Sequence, residues 1–138
     1  IGSDKDRNEN AFLFNLLKKQ NIRIIDMTGK TSLANLVYLV KKCIALVCID
    51  NGPFHLGRYL GKETISFFGP TDPSTRSLNE NNLKVSYGGS LCPLNISPCV
   101  KPIRNQTCPA ARECLLNQDI TGHIDSSFEK ELIRSESL

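Results

Sequence analysis

Two kinds of apolar pattern alternate along the first half of the chain, and this alternation constrains the fold more than any other feature. Residues 7–20 and 31–42 carry apolar side chains one helical turn apart, which predicts two helices that each bury one face. Residues 22–25, 44–49 and 64–68 are short, apolar and rich in β-branched residues, which predicts strands. The run 44–49 is apolar on both faces, which is typical of a central parallel strand.

A short helix is predicted between the last two of these strands. Pro53 suits its first turn, and Gly61 suits the position just after its end. Residues 83–86 are predicted to form one further edge strand. Strands that alternate with helices favour parallel pairing through right-handed crossovers. We therefore predict an α/β fold with a Rossmann-like parallel sheet and flanking helices.

The second half of the chain is less regular. Residues 88–117 combine prolines, glycines and cysteines without periodicity, which predicts a Cys/Pro-rich loop. Ser126 and Glu129 have the spacing of a capping box, which predicts a C-terminal helix over residues 126–134. A chain of 138 residues has room for one ordinary core, so residues 1–138 are predicted to form a single domain.

The composition argues against two classes of partner. A net charge of +3, 7% aromatic residues and no tryptophan do not make the basic, aromatic face of a nucleic-acid-binding protein. The longest apolar run, residues 43–49, is far shorter than the roughly 20 residues of a membrane-spanning helix. We therefore expect neither nucleic acid nor a transmembrane segment. The opening Ile1-Gly2 resembles the end of a strand, which suggests a fragment, although a cloning remnant explains it equally well.

The segment IDNGPFHLG, residues 49–57, brings polar chemistry to the end of the apolar run. In an open parallel sheet, ligands bind at the carboxyl ends of the strands. The backbone N–H groups of Asn51, Gly52 and Phe54 would point out of the first turn of the short helix, where its dipole favours a phosphate. Asp50 could accept hydrogen bonds from sugar hydroxyls. Together these groups suggest a nucleotide-sugar site.

The same residues also fit a simpler interpretation. An Asx-Gly-Pro sequence is an ordinary strand-to-helix connector, in which Asp50 only caps the helix and His55 is structural. A second loop shifts the balance, because FFGPTDP leaves the neighbouring strand at the same edge of the sheet. Thr71 and Asp72, with Gly69 in the turn before them, could then face the same cleft as Asp50 and His55.

Two motifs in this order resemble a known family. The segments IDNGPFHLGRYLG and TISFFGPTDP, followed by SPCV, TCP and ECL, are similar to the C-terminal half of glycosyltransferase family 9, the lipopolysaccharide heptosyltransferases and their relatives. The segment GKTSL, before the second predicted helix, fits as well. The resemblance extends from about Gly2 to the last predicted helix. It implies a GT-B architecture of two Rossmann-like domains, of which this chain is the C-terminal, donor-binding one.

The resemblance also implies roles for individual residues. Asp50 would bind the sugar of the donor, the amides of Asn51 and Gly52 would bind its diphosphate, and His55 would lie beside the site. The segment GSDKD resembles an acidic turn whose carboxylate accepts from the ribose hydroxyls. The candidates for that carboxylate are Asp6 and, close behind it, Asp4. The alternative for these two aspartates is a solvated charge run at the start of a helix.

The reaction implied by the resemblance is inverting transfer from a nucleotide sugar, ADP-heptose by likeness, to a glycan or lipid-linked acceptor. It requires no metal and no cofactor. The catalytic base would belong to the missing N-terminal domain, so no catalytic residue is expected in this chain and the chain alone would be inactive. The expected role is in lipopolysaccharide or cell-surface glycan synthesis, in the cytoplasm at the inner face of the inner membrane.

Four of the six cysteines fall in or near the predicted loop, which raises the question of a metal. Their gaps are wider than the paired spacing of a zinc signature. Members of the family often carry a Cys-x-Pro-Cys pair here, but Ile96 replaces the first thiol in this chain. We therefore expect free thiols or adventitious disulfides and no metal; if a metal is bound, the candidate ligands are Cys92, Cys99, Cys108 and Cys114.

The sequence is also compatible with other functions. An even number of cysteines and two sequons, Asn95-Ile96-Ser97 and Asn105-Gln106-Thr107, would suit a secreted binding module held by disulfides. The same fold could bind nucleotides without transferring a sugar. A different GT-B enzyme, such as a sugar-nucleotide epimerase, would share the donor site.

Overall fold

A computed structural model of the chain describes residues 1–76, 81–99, 108, 110 and 113–118. The helices in this part are α1 (Arg7–Lys19), α2 (Leu33–Lys42), α3 (Gly52–Tyr59) and the single turn α4 (Glu113–Leu116). The strands are β1 (Ala45–Ile49), β2 (Glu63–Phe68) and β3 (Leu83–Tyr87), and short 3₁₀ helices cover Asp4–Asp6, Pro73–Arg76 and Gly89–Leu91. Within these ranges, the structure contains no helix with the length and apolar character needed to cross a bilayer.

The three strands form one parallel sheet in the order β1-β2-β3. Ile49 of β1 is in register with Phe67 of β2, and Phe68 of β2 is in register with Tyr87 of β3. All three strands therefore end at the same edge of the sheet. The predicted Rossmann-like α/β fold is confirmed, including the edge strand predicted at residues 83–86, which pairs in parallel with β2.

The position of β1 in the sheet corrects one prediction. Residues 44–49 were expected to form a central strand, but β2 occupies the middle of the described sheet and β1 lies at its edge. Val47 and Ile49 are 61% and 52% exposed, whereas Ile65 of β2 is 3% exposed. An apolar run indicates that a strand can be buried on both faces, but its place in the sheet depends on which strands pair with it.

The strand predicted at residues 22–25 is absent from the structure, although these residues are described. Ile22 and Ile25 are 46% and 74% exposed. A strand is stabilised by ladder hydrogen bonds to a neighbour, and a short apolar run cannot supply that neighbour. The described part of the predicted 88–117 loop also contains α4 and the 3₁₀ helix Gly89–Leu91. The helix predicted at 126–134 lies outside the described residues.

The chain divides into two compact units, Ile1–Leu39 and Val40–Leu138, and the division falls within α2. In the first unit, the amide of Gly29 donates to the carbonyl oxygen of Gly2 at 2.8 Å. The side-chain amide of Asn10 donates to the hydroxyl oxygen of Thr28 at 2.9 Å, and Thr28 is 1% exposed. These bonds tie the loop after residue 25 to the start of α1.

The core of the second unit lies between α3 and the sheet. Phe54 of α3 and Phe68 of β2 are fully buried, with ring centroids 5.2 Å apart in an edge-to-face arrangement. A Cβ at Gly57 would lie 2.6 Å from Cδ2 of Leu46 and 3.0 Å from Oγ1 of Thr64. The missing side chain at Gly57 therefore allows α3 to lie close against β1 and β2. This packing fixes the N-terminus of α3 at the carboxyl edge of the sheet.

Candidate functional site

The loop after β1 leads directly into α3, as the sequence predicted. Asn51 is the N-cap of α3, and its side-chain oxygen accepts from the amide of Phe54 at 3.4 Å. Pro53 lies in the first turn, where its missing N–H costs nothing. Asn51, and not Asp50, therefore caps the helix. The Phe54 amide, which was expected to face a ligand, is instead used by this cap.

The backbone at Asn51 and Gly52 remains open. Both residues are exposed, and within the described part of the chain the structure gives their N–H groups no acceptor. A Cβ at Gly52 would meet no atom within 4 Å. Free amides at a helix N-terminus attract anions, because the aligned peptide dipoles place partial positive charge there. This backbone can therefore be approached closely by a ligand.

Asp50 lies between the open amides and the loop after β2. Its side chain is only 15% exposed, and Oδ2 accepts from Nη2 of Arg76 at 3.1 Å. Nε2 of His55 lies 3.9 Å from Oδ1 of Asp50, which is too long for a hydrogen bond. The His55 ring instead packs edge-on against Phe54, with centroids 5.0 Å apart. The carboxylate thus has a fixed cationic partner on one side and a histidine on the other.

The loop after β2 returns toward Asp50. Oδ1 of Asp72 accepts from the amide of Ser74 at 2.8 Å, and the carbonyl of Asp72 accepts from the hydroxyl of Thr75 at 2.7 Å. Hydrogen bonding from Ser74, chiefly by its side chain and then by its amide, lowers the pKa of Asp72 below its ordinary value. These bonds start the 3₁₀ helix Pro73–Arg76, which ends with Arg76 at Asp50. The loops after β1 and β2 therefore meet at one edge of the sheet, as predicted.

The other two residues of the second motif differ in their surroundings. Gly69 is buried, and a Cβ there would lie 2.7 Å from side-chain atoms of Leu115 in α4. Thr71 is half-buried. Gly69 thus has a packing role against α4 in addition to its place in the turn.

Two arginines of this region were missed by the sequence analysis. Nη1 of Arg58 donates to the carbonyl oxygen of Arg76 at 3.1 Å, and the Arg58 guanidinium lies 5.4 Å from the centroid of the Phe54 ring. Arg58 therefore connects α3 to the loop that carries Arg76. In the sequence, Arg58 lies within IDNGPFHLGRYLG and Arg76 lies three positions beyond TISFFGPTDP, and nothing local indicates that the second loop turns back.

Asp4 and Asp6 belong to the first unit. Oδ2 of Asp6 accepts from the amide and the hydroxyl of Ser3, both at 2.7 Å, and these bonds, the hydroxyl's first, lower the pKa of Asp6. Oδ1 of Asp4 forms an ion pair with Arg7, whose Nε lies 2.9 Å away. Asp6 thus contacts the N-cap of the 3₁₀ helix Asp4–Asp6, and Asp4 contacts the first residue of α1, which is compatible with the charge-run alternative.

All six cysteines are free thiols, which contradicts the disulfide-held binding module. Burial raises the pKa of the Cys99 and Cys114 thiols, and neighbouring thiols add to the effect. The pKa of Cys92 is lowered, chiefly by the amides of Ile96 and Leu94. Across the residues that the structure describes, which include Cys108, no three or more His, Cys, Asp or Glu side chains are arranged to hold a metal ion.

Comparison with known proteins places these features in a family. Residues 1–101 match the family model described as glycosyltransferase family 9 (heptosyltransferase). The chain is 30% identical over 98 residues to lipooligosaccharide heptosyltransferase 2 of Campylobacter jejuni subsp. jejuni serotype O:2. It is 29% identical over 98 residues to the protein of the same name from serotype O:6.

Each of these two matches covers 70% of this chain and 28% of the relative, so the chain spans less than a third of the relatives' length. No solved structure matches the chain. The family match includes both loops that meet at the carboxyl edge of the sheet, and it covers most of the chain. The chain therefore belongs to glycosyltransferase family 9, the heptosyltransferase family, as the resemblance of its two motifs predicted.

Proposed function

We propose that this chain binds the nucleotide-sugar donor, ADP-heptose or a close analogue, for an inverting glycosyltransferase of GT-B architecture. Membership of a heptosyltransferase family supports the reaction class. The names of the two relatives support a role in lipooligosaccharide or lipopolysaccharide synthesis. The observation that carries the donor site is the position of Asp50 beside the open N-terminus of α3, where the loops after β1 and β2 meet.

In the proposed site, two kinds of group bind different parts of the donor. The amides of Asn51 and Gly52 bind the diphosphate, because they are exposed at a helix N-terminus and a Cβ at Gly52 would meet open space. Asp50 accepts hydrogen bonds from hydroxyls of the sugar, and charge-assisted bonds of this kind are stronger than neutral ones. His55, which borders Asp50, contacts the same end of the donor.

The ribose of the donor is assigned to Asp6, with Asp4 as the second candidate. Both described hydrogen bonds to the Asp6 carboxylate use Oδ2, and both contacts from Arg7 to Asp4 use Oδ1. One oxygen of each carboxylate therefore has accepting capacity left for a hydroxyl. The adjacent bonds to Ser3 also hold Asp6 in one orientation.

The proposed reaction places the bond-making groups outside this chain. A carboxylate of the N-terminal domain deprotonates the acceptor hydroxyl, which attacks the anomeric carbon as the nucleoside diphosphate leaves. The amides at the N-terminus of α3 stabilise the negative charge on that leaving group. The step needs neither metal nor cofactor. The acceptor is a glycan or a lipid-linked glycan, and the enzyme acts in the cytoplasm at the inner face of the inner membrane.

The test is isothermal titration of this chain with ADP-heptose and with ADP, for the wild type and for Asp50→Ala. We expect weak binding of both ligands by the wild type. Asp50→Ala should lower the affinity for ADP-heptose about tenfold, because one charge-assisted hydrogen bond is lost. The affinity for ADP, which lacks the sugar, should change much less. The matched control is Glu63→Gln, which removes a carboxylate at the amino end of β2, opposite the proposed site.

The two titrations also give the results that contradict the proposal. Equal affinity of Asp50→Ala and the wild type for ADP-heptose would remove Asp50 from the sugar site. An equal loss for Glu63→Gln would show that the effect is not local to the carboxyl edge.

A further inference from the structure

Among the described residues, Arg76 is the closest cationic partner of Asp50, whereas His55 lies farther away, at 3.9 Å. Its Nη2 donates to Oδ2 of Asp50 at 3.1 Å. A carboxylate beside a helix N-terminus repels an approaching diphosphate, because like charges a few ångströms apart interact unfavourably. A guanidinium on the same carboxylate offsets that repulsion. The site proposed above therefore depends on a residue that neither of its motifs contains.

The backbone of Arg76 is held in place by α3 itself. Nη1 of Arg58 donates to the Arg76 carbonyl oxygen at 3.1 Å, and Arg58 lies over the ring of the fully buried Phe54. The amide of Phe54 also donates the hydrogen bond that the side chain of Asn51 accepts as the cap of α3. The same helix therefore presents the open amides and fixes the loop that carries the guanidinium.

The guanidinium has hydrogen-bonding capacity left over. Nε of Arg76 is buried and has no hydrogen-bond partner in the described structure. A buried N–H without a partner is unfavourable, so a small rotation that brings it to an anionic oxygen would be favoured. Arginine can do this while it retains a carboxylate, since its planar head has five N–H donors in a fixed fork.

We propose that Arg76 binds the diphosphate of the donor in this chain and that its ion pair with Asp50 makes the N-terminus of α3 electrostatically accessible to that diphosphate. This inference rests on the proposed donor-binding function and adds a phosphate-binding residue to it. Arg76 contacts Asp50 in the ligand-free chain and shares its guanidinium between Asp50 and a phosphate oxygen in the complex. His55 and the amides of Asn51 and Gly52 complete the anion site.

The experiment titrates the chain with ADP, AMP and adenosine and compares the wild type with Arg76→Gln and Arg76→Lys. Arg76→Gln should lower the affinity for ADP tenfold or more, the affinity for AMP by a smaller factor, and the affinity for adenosine by less than twofold. The loss should depend on the number of phosphates, because Arg76 contacts the phosphates and not the nucleoside. Arg76→Lys should recover part of the ADP affinity, since it restores the charge without the fork. Lys42→Gln is the charge-matched control, because Lys42 precedes β1 and so lies at the amino end of that strand.

A second comparison separates phosphate binding from simple positioning of Asp50. Arg76→Gln is made in an Asp50→Asn background, where the ion pair is already lost. If Arg76 contacts phosphate, Arg76→Gln still lowers the affinity for ADP in that background. If Arg76 only holds Asp50, the substitution has no further effect on the affinity. Circular dichroism and the thermal midpoint of each variant report on folding, and the lysine variant provides the reading if the glutamine variant is unfolded.

The outcomes for the two proposals are distinct. If the wild type binds neither ADP nor ADP-heptose, the donor-binding function fails and this inference fails with it. If Asp50→Ala weakens ADP-heptose while Arg76→Gln leaves ADP unchanged, or weakens adenosine and ADP equally, only the role of Arg76 is overturned.

Discussion

At the scale of single residues, the site is defined by which groups are satisfied and which are left open. Asn51 uses its side chain to satisfy the amide of Phe54, whereas the amides of Asn51 and Gly52, both exposed residues, have no acceptor in the described part of the chain. Asp50 is only 15% exposed and gains its partner, Arg76, from a loop 26 residues later in the chain. The position of Asp50, Asn51 and Gly52 was predictable from the sequence, since an apolar strand followed by Asp-Asn-Gly-Pro places them at a strand-to-helix turn. The partner was not predictable, because a polar loop carries no local signal of where it returns.

The cap gives the first stability prediction. Asn51→Ala removes the acceptor for the Phe54 amide and should lower the free energy of unfolding by about 1 kcal/mol. This value is in the lower part of the usual range for a lost helix cap, because the hydrogen bond is 3.4 Å long. The thermal midpoint should fall by roughly 4 °C. Asn51→Asp retains a side-chain oxygen and should lose little. Thermal denaturation of the ligand-free chain measures both, and an equal loss in the two variants would argue against the cap.

The buried cysteines give a prediction about pH. The thiolate is the reactive form, so each thiol is alkylated faster as the pH rises through its pKa. Cys92, whose pKa is lowered by the amides of Ile96 and Leu94, should reach half of its maximal rate at a lower pH than Cys99 and Cys114, whose pKa values burial raises.

Alkylation with iodoacetamide, followed by peptide mass spectrometry, gives the pH midpoint for each cysteine. The midpoint is compared and not the absolute rate, because Cys92 is 7% exposed and its access to the reagent is limited. A common midpoint for all three thiols would contradict the prediction.

At the scale of elements, close packing at glycines decides how helices meet the sheet. Gly57 lets α3 approach β1 and β2, and Gly88 lets α4 approach the end of β3. The sequence predicted α3, β2 and β3 because their apolar periodicity and terminal residues are local. It placed α4 within a loop, since four residues give no periodic pattern. Its burial comes from contacts with Gly69 and Gly88, which lie far away in the sequence.

The contact at Gly88 gives a prediction about α4. A Cβ at Gly88 would overlap the carbonyl oxygen of Cys114 and lie 2.7 Å from Nε2 of Gln118, which itself donates to the carbonyl of Phe68 at 2.9 Å. Gly88→Ala should therefore lower the free energy of unfolding by about 1–3 kcal/mol, the usual cost of overpacking.

Urea denaturation measures this effect against a matched substitution. Gly52→Ala adds the same methyl group where no atom lies within 4 Å, so it should change the free energy of unfolding by less than about 0.5 kcal/mol. The same Gly52→Ala variant should lower the affinity for ADP, because the added methyl group would obstruct the approach of a phosphate to the open amides. If Gly88→Ala and Gly52→Ala have equal stability, α4 does not pack on Gly88 as described.

At the scale of the whole molecule, stability is expected to be uneven. β2 is hydrogen-bonded on both sides, and its residues Thr64, Ile65 and Ser66 are buried. α1 has no buried residue, and its Phe12 is 73% exposed. Regions with few buried apolar contacts open locally at a lower free energy than the core. The centre of the sheet should therefore outlast α1 when the chain fluctuates.

Native-state hydrogen exchange tests this order. The amides of β2 should exchange most slowly, with free energies of opening close to that of global unfolding, and the amides of α1 should exchange through local opening at a lower free energy. Mass spectrometry of peptic fragments resolves the two segments. Protection of α1 equal to that of β2 would mean that α1 unfolds only together with the sheet.

The sequence by itself determined the fold class and the family of this protein, and most of its helices and strands. Helical and strand periodicities and the two motifs follow from patterns within a few residues, and they sufficed to predict the fold class and the family. Only the tertiary structure decided that β2 and not β1 is central, that residues 22–25 do not pair, and that Arg76 lies on Asp50. The physical reason is that a local pattern determines which groups can be buried or paired, whereas their partners depend on contacts between segments distant in the chain.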